Sequence, residues 1–172
     1  MVHGMLSPRA PEHEFVQLER FGPYIPPITF PYGATIVTDQ LRQRVQEEQF
    51  TGVSFRSVSL YHIVKLDWHL WDRNAEEPPE YPEGGEPENY LLNQPHSPDA
   101  ASALGTLWQL VPSIVADAQR KGSKFYTKNY RGEDVCQGSR WGHTYVSQRF
   151  RDWLESEAYP WIDFTLAKTS PD

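Results

Sequence analysis

Cysteine is the rarest residue type in this sequence: Cys136 is the only cysteine among 172 residues. One cysteine excludes an internal disulfide and any zinc site built from several cysteines. The chain also lacks a run of 18 apolar residues, the length a membrane-spanning helix needs, and it lacks the basic head and apolar stretch of a secretory signal. We therefore expect a cytoplasmic protein with no cofactor and no bound metal.

Catalytic motifs are missing as well. The sequence has no glycine-rich phosphate loop, no HExxH and no GxSxG. Cys136 has only Arg140 and His143 as basic neighbours, which is typical of an unreactive cysteine. The nearest approach to a metal-binding set is His62 with Asp67 and His69, but on a strand His62 would face away from the other two. We expect no enzymatic activity.

Basic residues are outnumbered, 16 against 23 acidic ones, and the imbalance is confined to one place. Residues 72–99, here named the acidic segment, contain eight acidic residues and one arginine, so they carry the whole net charge of −7. The absence of a basic face argues against nucleic-acid binding. A concentrated negative charge suits a basic protein partner, and the alternative is a loop kept soluble by its charge.

The length of the chain predicts one domain, 1–172, of the α+β class with a mainly antiparallel sheet. Five segments follow from composition and periodicity: a Pro-rich N-terminal arm (1–32), a first β-α-β unit plus a strand (33–71), an acidic Pro/Gly loop (72–96), a helix (97–122) and a second β-α-β unit (123–172).

Two similar strand–helix–strand units are the main regularity of the sequence. Residues 33–58 align without a gap with residues 142–167, 109 positions further on. The alignment pairs strand, cap and helix-face positions: Thr35 with Thr144, Val37 with Val146, Thr38 with Ser147, Leu41 with Phe150, Val45 with Leu154, Phe50 with Tyr159, Val53 with Ile162 and Phe55 with Phe164. We expect an internal duplication, or at least two equivalent units.

Three further elements are predicted outside that regularity. Within the arm, a short helix is expected near Glu12–Arg20, and Ser59–Trp71 reads as a long strand that could pair with Val53–Val58. Ser97, followed by a proline and an acid, is a strong helix start. The apolar spacing from Leu104 to Ala118, with Trp108 on its face, predicts one longer helix that Pro112 kinks.

Aromatic residues flank the acidic segment, a combination typical of protein-recognition surfaces. The alternative is that the tryptophans there face the core. The predicted partner-binding residues are Trp71, Asp72, Glu76, Glu77, Glu80, Tyr81, Glu83, Glu86, Glu88 and Tyr90.

Four stretches carry a further signal: three lie in or next to residues 33–70 and 123–167, and the fourth lies in the acidic Pro/Gly loop. They read IVTDQLRQRVQEEQFTGVSFRSV, IVKLDWHLWD, GEPENY and GEDVCQGSRWGHTYVSQRFRDWLESEAYPWIDF. These stretches resemble the double-CxxCG family, which is common in myxobacteria and belongs among the immunity proteins of bacterial polymorphic-toxin systems. Neither CxxCG motif is present here, so the metal site that the family would imply lapses.

The resemblance implies an immunity-type protein that binds a cognate toxin (effector) domain and occludes its active site, with no catalysis of its own. A different class stays open: a small-ligand-binding protein or enzyme with a site between the two repeated units, where His143, Arg151, Arg42 and Asp134 would converge. A structural subunit with a large apolar interface between copies is the third alternative.

Overall fold

The computed structural model describes residues 4–6, 16–31, 33–65, 91, 93–115, 120–121, 124–126, 128–138 and 143–170. Helices and strands both occur, which agrees with the α+β class. The chain divides into two compact units, the first formed by Met1–Arg42 with Arg56–Gln109 and the second by Gln43–Phe55 with Leu110–Asp172. The division falls inside one helix and two strands, so it does not follow the five predicted segments.

The first unit contains a sheet with the strand order β1-β2-β5-β6-β4-β3. Its strands are β1 (Gly4–Leu6), β2 (Val16–Phe21), β3 (Ile28–Thr29), β4 (Thr35–Thr38), β5 (Val53–Val64) and β6 (Leu107–Val115), of which β5 and β6 extend into the second unit. Strand β1 is antiparallel to β2, and β3 to β4, whereas β2 runs parallel to β5 with a register shift between Leu18 and Glu19.

Strands of the second unit form two groups. Strand β9 (Val135–Gly138) is parallel to β6 and antiparallel to β10 (Thr144–Val146). Strand β8 (Lys124–Tyr126) is antiparallel to β7 (Arg120–Lys121) and parallel to β11 (Lys168–Ser170). The sheets are mixed: of these seven described strand pairings, four are antiparallel and three are parallel, because long connections such as the one from β2 to β5 return the chain in its original direction.

Three helices are described: α1 (Asp39–Glu47), α2 (Pro98–Leu104) and α3 (Gln148–Ser156). In the first unit Leu18, Ile36 and Leu107 form one buried cluster, and Ile63 packs with Ala100 and Leu104 of α2 in another. In the second unit Phe50 meets Phe150 and Trp153 edge-on, with ring centroids 4.8 and 5.1 Å apart. None of these helices is long and apolar enough to cross a membrane.

The predicted long kinked helix is wrong beyond its first two turns. Helix α2 starts as expected, with the Ser97 hydroxyl accepting a hydrogen bond from the Ala100 N–H, but it ends at Leu104 because Gly105 follows with a φ of +67°. Leu107–Val115, including Trp108 and Pro112, is strand β6. Its aromatic and β-branched residues suit a strand, and pairing with neighbouring strands outweighs their helix-like spacing.

The predicted helix near Glu12–Arg20 is also wrong in its described part, since Val16–Phe21 is strand β2, paired along β5. Val53–Val58 and Ser59–Val64 are one strand of 12 residues, β5, rather than two paired strands. Residues 66–71 of that prediction lie outside the described part of the chain.

The two aligned segments agree in their strand–helix part and differ after it. Helices α1 and α3 are both nine residues long and occupy equivalent positions, each capped by the predicted hydroxyl of Thr38 or Ser147. Both helices lead to a residue with positive φ, Gln49 and Ala158. Strand β5 then starts at Val53, whereas residues 162–167 contain no strand. The predicted strand at Ile162 and Phe164 is therefore wrong, and the internal duplication stays a prediction.

Candidate functional site

All ten predicted partner-binding residues lie outside the described residues. They are Trp71, Asp72, Glu76, Glu77, Glu80, Tyr81, Glu83, Glu86, Glu88 and Tyr90. The structure does describe both places where the chain enters and leaves this stretch: strand β5 with Lys65 on one side, and Leu91 with residues 93–97 on the other. The residues on either side of the stretch therefore define the candidate site.

Three hydrogen bonds join the two ends of the stretch. The Ser97 N–H donates to the Ile63 carbonyl at 2.7 Å, and the Ile63 N–H donates to His96 Nδ1 at 3.0 Å. His62 Nε2 donates to the Gln94 carbonyl at 2.9 Å. We name these five residues the histidine clasp; its two imidazole rings lie 6.4 Å apart, centroid to centroid.

The clasp holds the chain at one place on the first unit. Strand β5 ends at Val64, and Leu91, only 1% exposed, anchors the returning chain next to the clasp in sequence. Because His96 Nδ1 accepts a hydrogen bond, a neutral His96 carries its proton on Nε2. The acidic residues from Asp72 to Glu88 thus belong to a single excursion of the chain whose ends are hydrogen-bonded to each other.

A buried cation lies in register with the clasp. In the parallel pairing of β2 with β5, Arg20 stands opposite Ile63 and Glu19 opposite His62. Arg20 is only 1% exposed. Its Nη2 donates to the Tyr24 carbonyl at 2.6 Å, while Nε and Nη1 have no hydrogen-bond partner among the described residues. Burial lowers the pKa of Arg20 to about 10, so the side chain is still a cation at neutral pH.

Sequence reasoning missed Arg20 because it placed this residue in a surface helix of the N-terminal arm. The available signal was the apolar pattern around it, with Leu18 two positions before and Phe21 one position after. Read as a strand rather than a helix, that stretch places a charged side chain among residues that become buried. Such an arrangement calls for a partner of opposite charge.

Asp134 belonged to the alternative site and proves to be the centre of a closed network in the second unit. Its carboxylate accepts hydrogen bonds from the Thr51 N–H at 2.9 Å, from the Ser147 hydroxyl at 2.8 Å and from Arg149 Nη1 at 3.1 Å. The Thr51 hydroxyl is a fourth partner, at 3.2 Å. We call this set the Asp134 network.

The partners of Asp134 outweigh its burial. Desolvation raises the pKa of the carboxyl group, but the hydrogen bonds from Thr51 and Ser147 and the charge of Arg149 lower it further, so the net pKa lies below the ordinary value. Arg149 is itself held, with its guanidinium 4.5 Å from the centre of the Phe50 ring. Asp134, which directly precedes β9, therefore links that strand to Thr51 and to the N-terminus of α3.

The other three residues of the alternative site have local contacts. Arg151 pairs with Glu155 one turn along α3, and the His143 ring meets Tyr145 edge-on. In the first unit Arg42 donates to Asp39 at 2.9 Å and stacks over Trp108, whose indole N–H donates to the same carboxylate oxygen at 2.8 Å.

Cys136 is 1% exposed in a small apolar cluster with Val115. Burial, together with the negative charge of Glu133, raises the pKa of the thiol to about 11. A nucleophilic cysteine needs the opposite shift. Among His62, Asp67 and His69, only His62 is described; within the described residues no group of three metal-binding side chains comes together.

Comparison with known proteins gives no match to a family model, to a curated protein or to a solved structure.

Proposed function

We propose that this is an immunity-type protein that binds a cognate toxin domain through the acidic segment and occludes its active site, without catalysis of its own. One observation carries the proposal: the entire net charge of −7 lies in the acidic segment, and the histidine clasp bonds residues 94–97 of that segment to the end of β5, from which the chain leads into it. A basic cleft, such as the substrate groove of a nuclease toxin, is the complementary surface. The proposed setting is the cytoplasm.

The clasp matters because it fixes the place on the first unit to which the acidic segment returns. Joining the two ends of a segment also removes part of the conformational entropy that binding would otherwise have to remove. An anchored acidic segment should therefore bind a basic surface more tightly than the same residues on a free chain.

The rest of the described chain supports this assignment by contrast. Three of its buried or half-buried acids have cationic partners: Asp39 with Arg42, Glu157 with Arg44 and Asp134 with Arg149. These acids are used within the scaffold. Outside residues 72–99 the acidic and basic residues of the sequence are equal in number, so the unbalanced charge available to a partner is that of the acidic segment.

The experiment is to purify the protein with the product of the adjacent upstream gene and to measure their affinity at several salt concentrations. Replacing Glu76, Glu77, Glu80, Glu83, Glu86 and Glu88 by glutamine should weaken binding at least about tenfold at low salt and flatten the salt dependence, because complementary charge is lost. Glu47→Gln and Asp163→Asn, both at exposed positions, serve as the control and should leave the affinity unchanged.

Two results would count against the proposal. One is a neighbouring gene product that does not bind, in a gene neighbourhood without any toxin-like reading frame. The other is an affinity that the six glutamine substitutions leave unchanged while circular dichroism shows an intact fold. A third variant, His96→Ala, examines the clasp: it should weaken binding by a smaller factor than the charge changes, since the carboxylates remain.

We also propose that the two aligned segments are copies of one ancestral unit. The support is the equal length and position of α1 and α3, their hydroxyl caps and the positive φ shared by Gln49 and Ala158. A ligand site between the copies remains the alternative function, and a titration of the protein against a library of small ligands would test it.

A further inference from the structure

We propose that Arg20 forms a binding site for a small oxyanion, a carboxylate or phosphate group, at the carboxyl ends of strands β2 and β5. This inference does not depend on the toxin-binding proposal. It concerns a different charge, of opposite sign, and a different class of ligand.

Arg20 is a buried cation that lacks a partner of opposite charge among the described residues. Charged side chains are almost never fully buried unless they are paired, because desolvation of an unpaired charge costs several kcal/mol. Arg20 is 1% exposed, yet Nε and Nη1 find no acceptor among the described residues, and no ion pair joins it to the neighbouring Glu19. The Asp134 network shows that this chain satisfies another buried charge completely. An anion bound to Arg20 would supply the missing acceptors.

The second step is the position in the sheet. Arg20 is the penultimate residue of β2, and its partner in register, Ile63, is the penultimate residue of β5. The two strands are parallel, so both carboxyl ends meet at the same edge. In sheets with parallel strands, ligands bind preferentially just beyond the carboxyl ends, where the connecting loops begin.

The Arg20 guanidinium contacts a turn at the surface, from which a ligand could reach it. The one hydrogen bond described for the Arg20 guanidinium goes to the carbonyl of Tyr24, in the turn that directly follows β2. Tyr24 is 63% exposed, so this turn lies at the surface. Pro23 is exposed as well, so a ligand oxygen that replaces the Tyr24 carbonyl would reach the guanidinium from this surface turn.

The fourth step is the class of ligand. A guanidinium is a planar, permanently charged donor whose N–H groups match the paired oxygens of carboxylates and phosphates. With Nε and Nη1 unpartnered and Nη2 released from Tyr24, three nitrogens would face acceptors. One cation selects for a singly charged group or for one end of a larger anion.

The test uses the full chain labelled with ¹⁵N at arginine. Inorganic phosphate, acetate and chloride are titrated in turn at constant ionic strength while the arginine Nε–Hε resonances are followed. The Arg20 resonance should shift saturably with phosphate or with acetate but not with chloride, and the melting temperature should rise with the same ligand. The more tightly bound probe identifies the ligand group as a phosphate or a carboxylate.

Variants separate this site from general surface binding. Arg20→Met should abolish the saturable response, whereas Arg56→Met, at an exposed position on β5, should keep it. An Arg20 resonance that does not move, that moves linearly with every salt alike, or a saturable melting response that persists in Arg20→Met would overturn the proposal. The wild-type titration decides the question even where Arg20→Met does not fold.

Discussion

Asp134 and Arg20 are two charges buried to nearly the same degree, 6% and 1% exposed, in surroundings that treat them differently. Asp134 accepts from a backbone N–H, two hydroxyls and a guanidinium. Arg20 donates to a single carbonyl, from one of its three side-chain nitrogens. Since desolvation penalises both charges, only the first is compensated within the described scaffold. Asp134 therefore stabilises the scaffold, whereas Arg20 keeps two nitrogens without an acceptor among the described residues.

The cause lies in the backbone around each residue. Thr51, Ser147 and Arg149 converge on Asp134 because residue 51 precedes a tight approach at Gly52, and Ser147 caps α3. Arg20 stands near the end of a strand, where the ladder stops, and the Tyr24 carbonyl in the following turn is the one acceptor among its described side-chain contacts.

Gly52→Ala should destabilise the second unit most. Gly52 has a φ of +74°, and an added Cβ would come within 2.3 Å of the Val135 carbonyl oxygen. Left-handed strain and overpacking together should lower the free energy of unfolding by roughly 2–5 kcal/mol, measured by urea denaturation.

Gly33→Ala is the matched control, because Gly33 has a φ of +73° but no described atom lies within 4 Å of the added Cβ. It should cost only about 1 kcal/mol. Equal losses for the two variants would show that close packing against β9 is not what distinguishes Gly52.

Asp134→Ala removes the acceptor that four hydrogen bonds share. The Thr51 N–H and the Ser147 hydroxyl would lose a buried partner, so the free energy of unfolding should fall by about 2–4 kcal/mol. Asp152→Ala, at an exposed acid on α3, should change it by less than about 0.5 kcal/mol. Similar values for both variants would remove the structural role assigned to Asp134.

Arg20→Met should change the free energy of unfolding in the opposite direction from Asp134→Ala. Replacing an uncompensated buried cation by an apolar side chain of similar length should leave the free energy of unfolding unchanged or raise it by up to about 2 kcal/mol, in buffer without phosphate or carboxylate. Urea denaturation of the variant beside the wild type measures this. A loss of more than about 2 kcal/mol would mean that Arg20 stabilises the scaffold as Asp134 does.

Lowering the pH should weaken the Asp134 network without removing any side-chain atoms from the core. The pKa of Asp134 is held below its ordinary value, so the stabilisation is complete above the unfolded pKa near 4 and is lost as pH falls through the folded pKa. The stability difference between wild type and Asp134→Asn should be constant from about pH 7 to 5 and shrink below about pH 4. A difference that stays constant to about pH 2 would contradict the assigned charge interactions.

The smallest expected effect concerns the reactivity of the Cys136 thiol and not the stability of the protein. With its thiol buried and its pKa raised to about 11, the native protein should not react with a thiol reagent at about pH 8, whereas the unfolded chain should react at once. Absorbance after adding the reagent, with and without denaturant, checks this. Rapid labelling of the native protein would show that the apolar cluster opens.

Local signals in the sequence were enough for the helix starts. Ser97 and Ser147 cap α2 and α3 through the hydrogen bonds that a hydroxyl at the first position makes, an interaction within three residues. Leu41 and Val45, or Phe150 and Leu154, are buried as their spacing requires. The confinement of the net charge to residues 72–99 is likewise a property of the chain alone.

The errors arose where strand pairing decided the outcome. Leu107–Val115 carries apolar residues at helical spacing, and Val16–Phe21 follows a proline-rich stretch, yet both are strands because partners distant in sequence complete their hydrogen bonds. The same distant pairing brings Arg20 beside Ile63, and Asp134 to Thr51. No spacing rule along the chain contains these contacts.

The α+β class, the helix caps and the acidic segment could be predicted from the sequence, since each depends on composition or on neighbours within one helical turn. Tertiary structure alone decided which of two buried charges is satisfied, because the partners of a buried charge are set by long-range packing. It also decided that the acidic segment returns to β5 at the histidine clasp, where Ile63 supplies a donor to His96 and an acceptor to Ser97 that a linear chain does not bring to them.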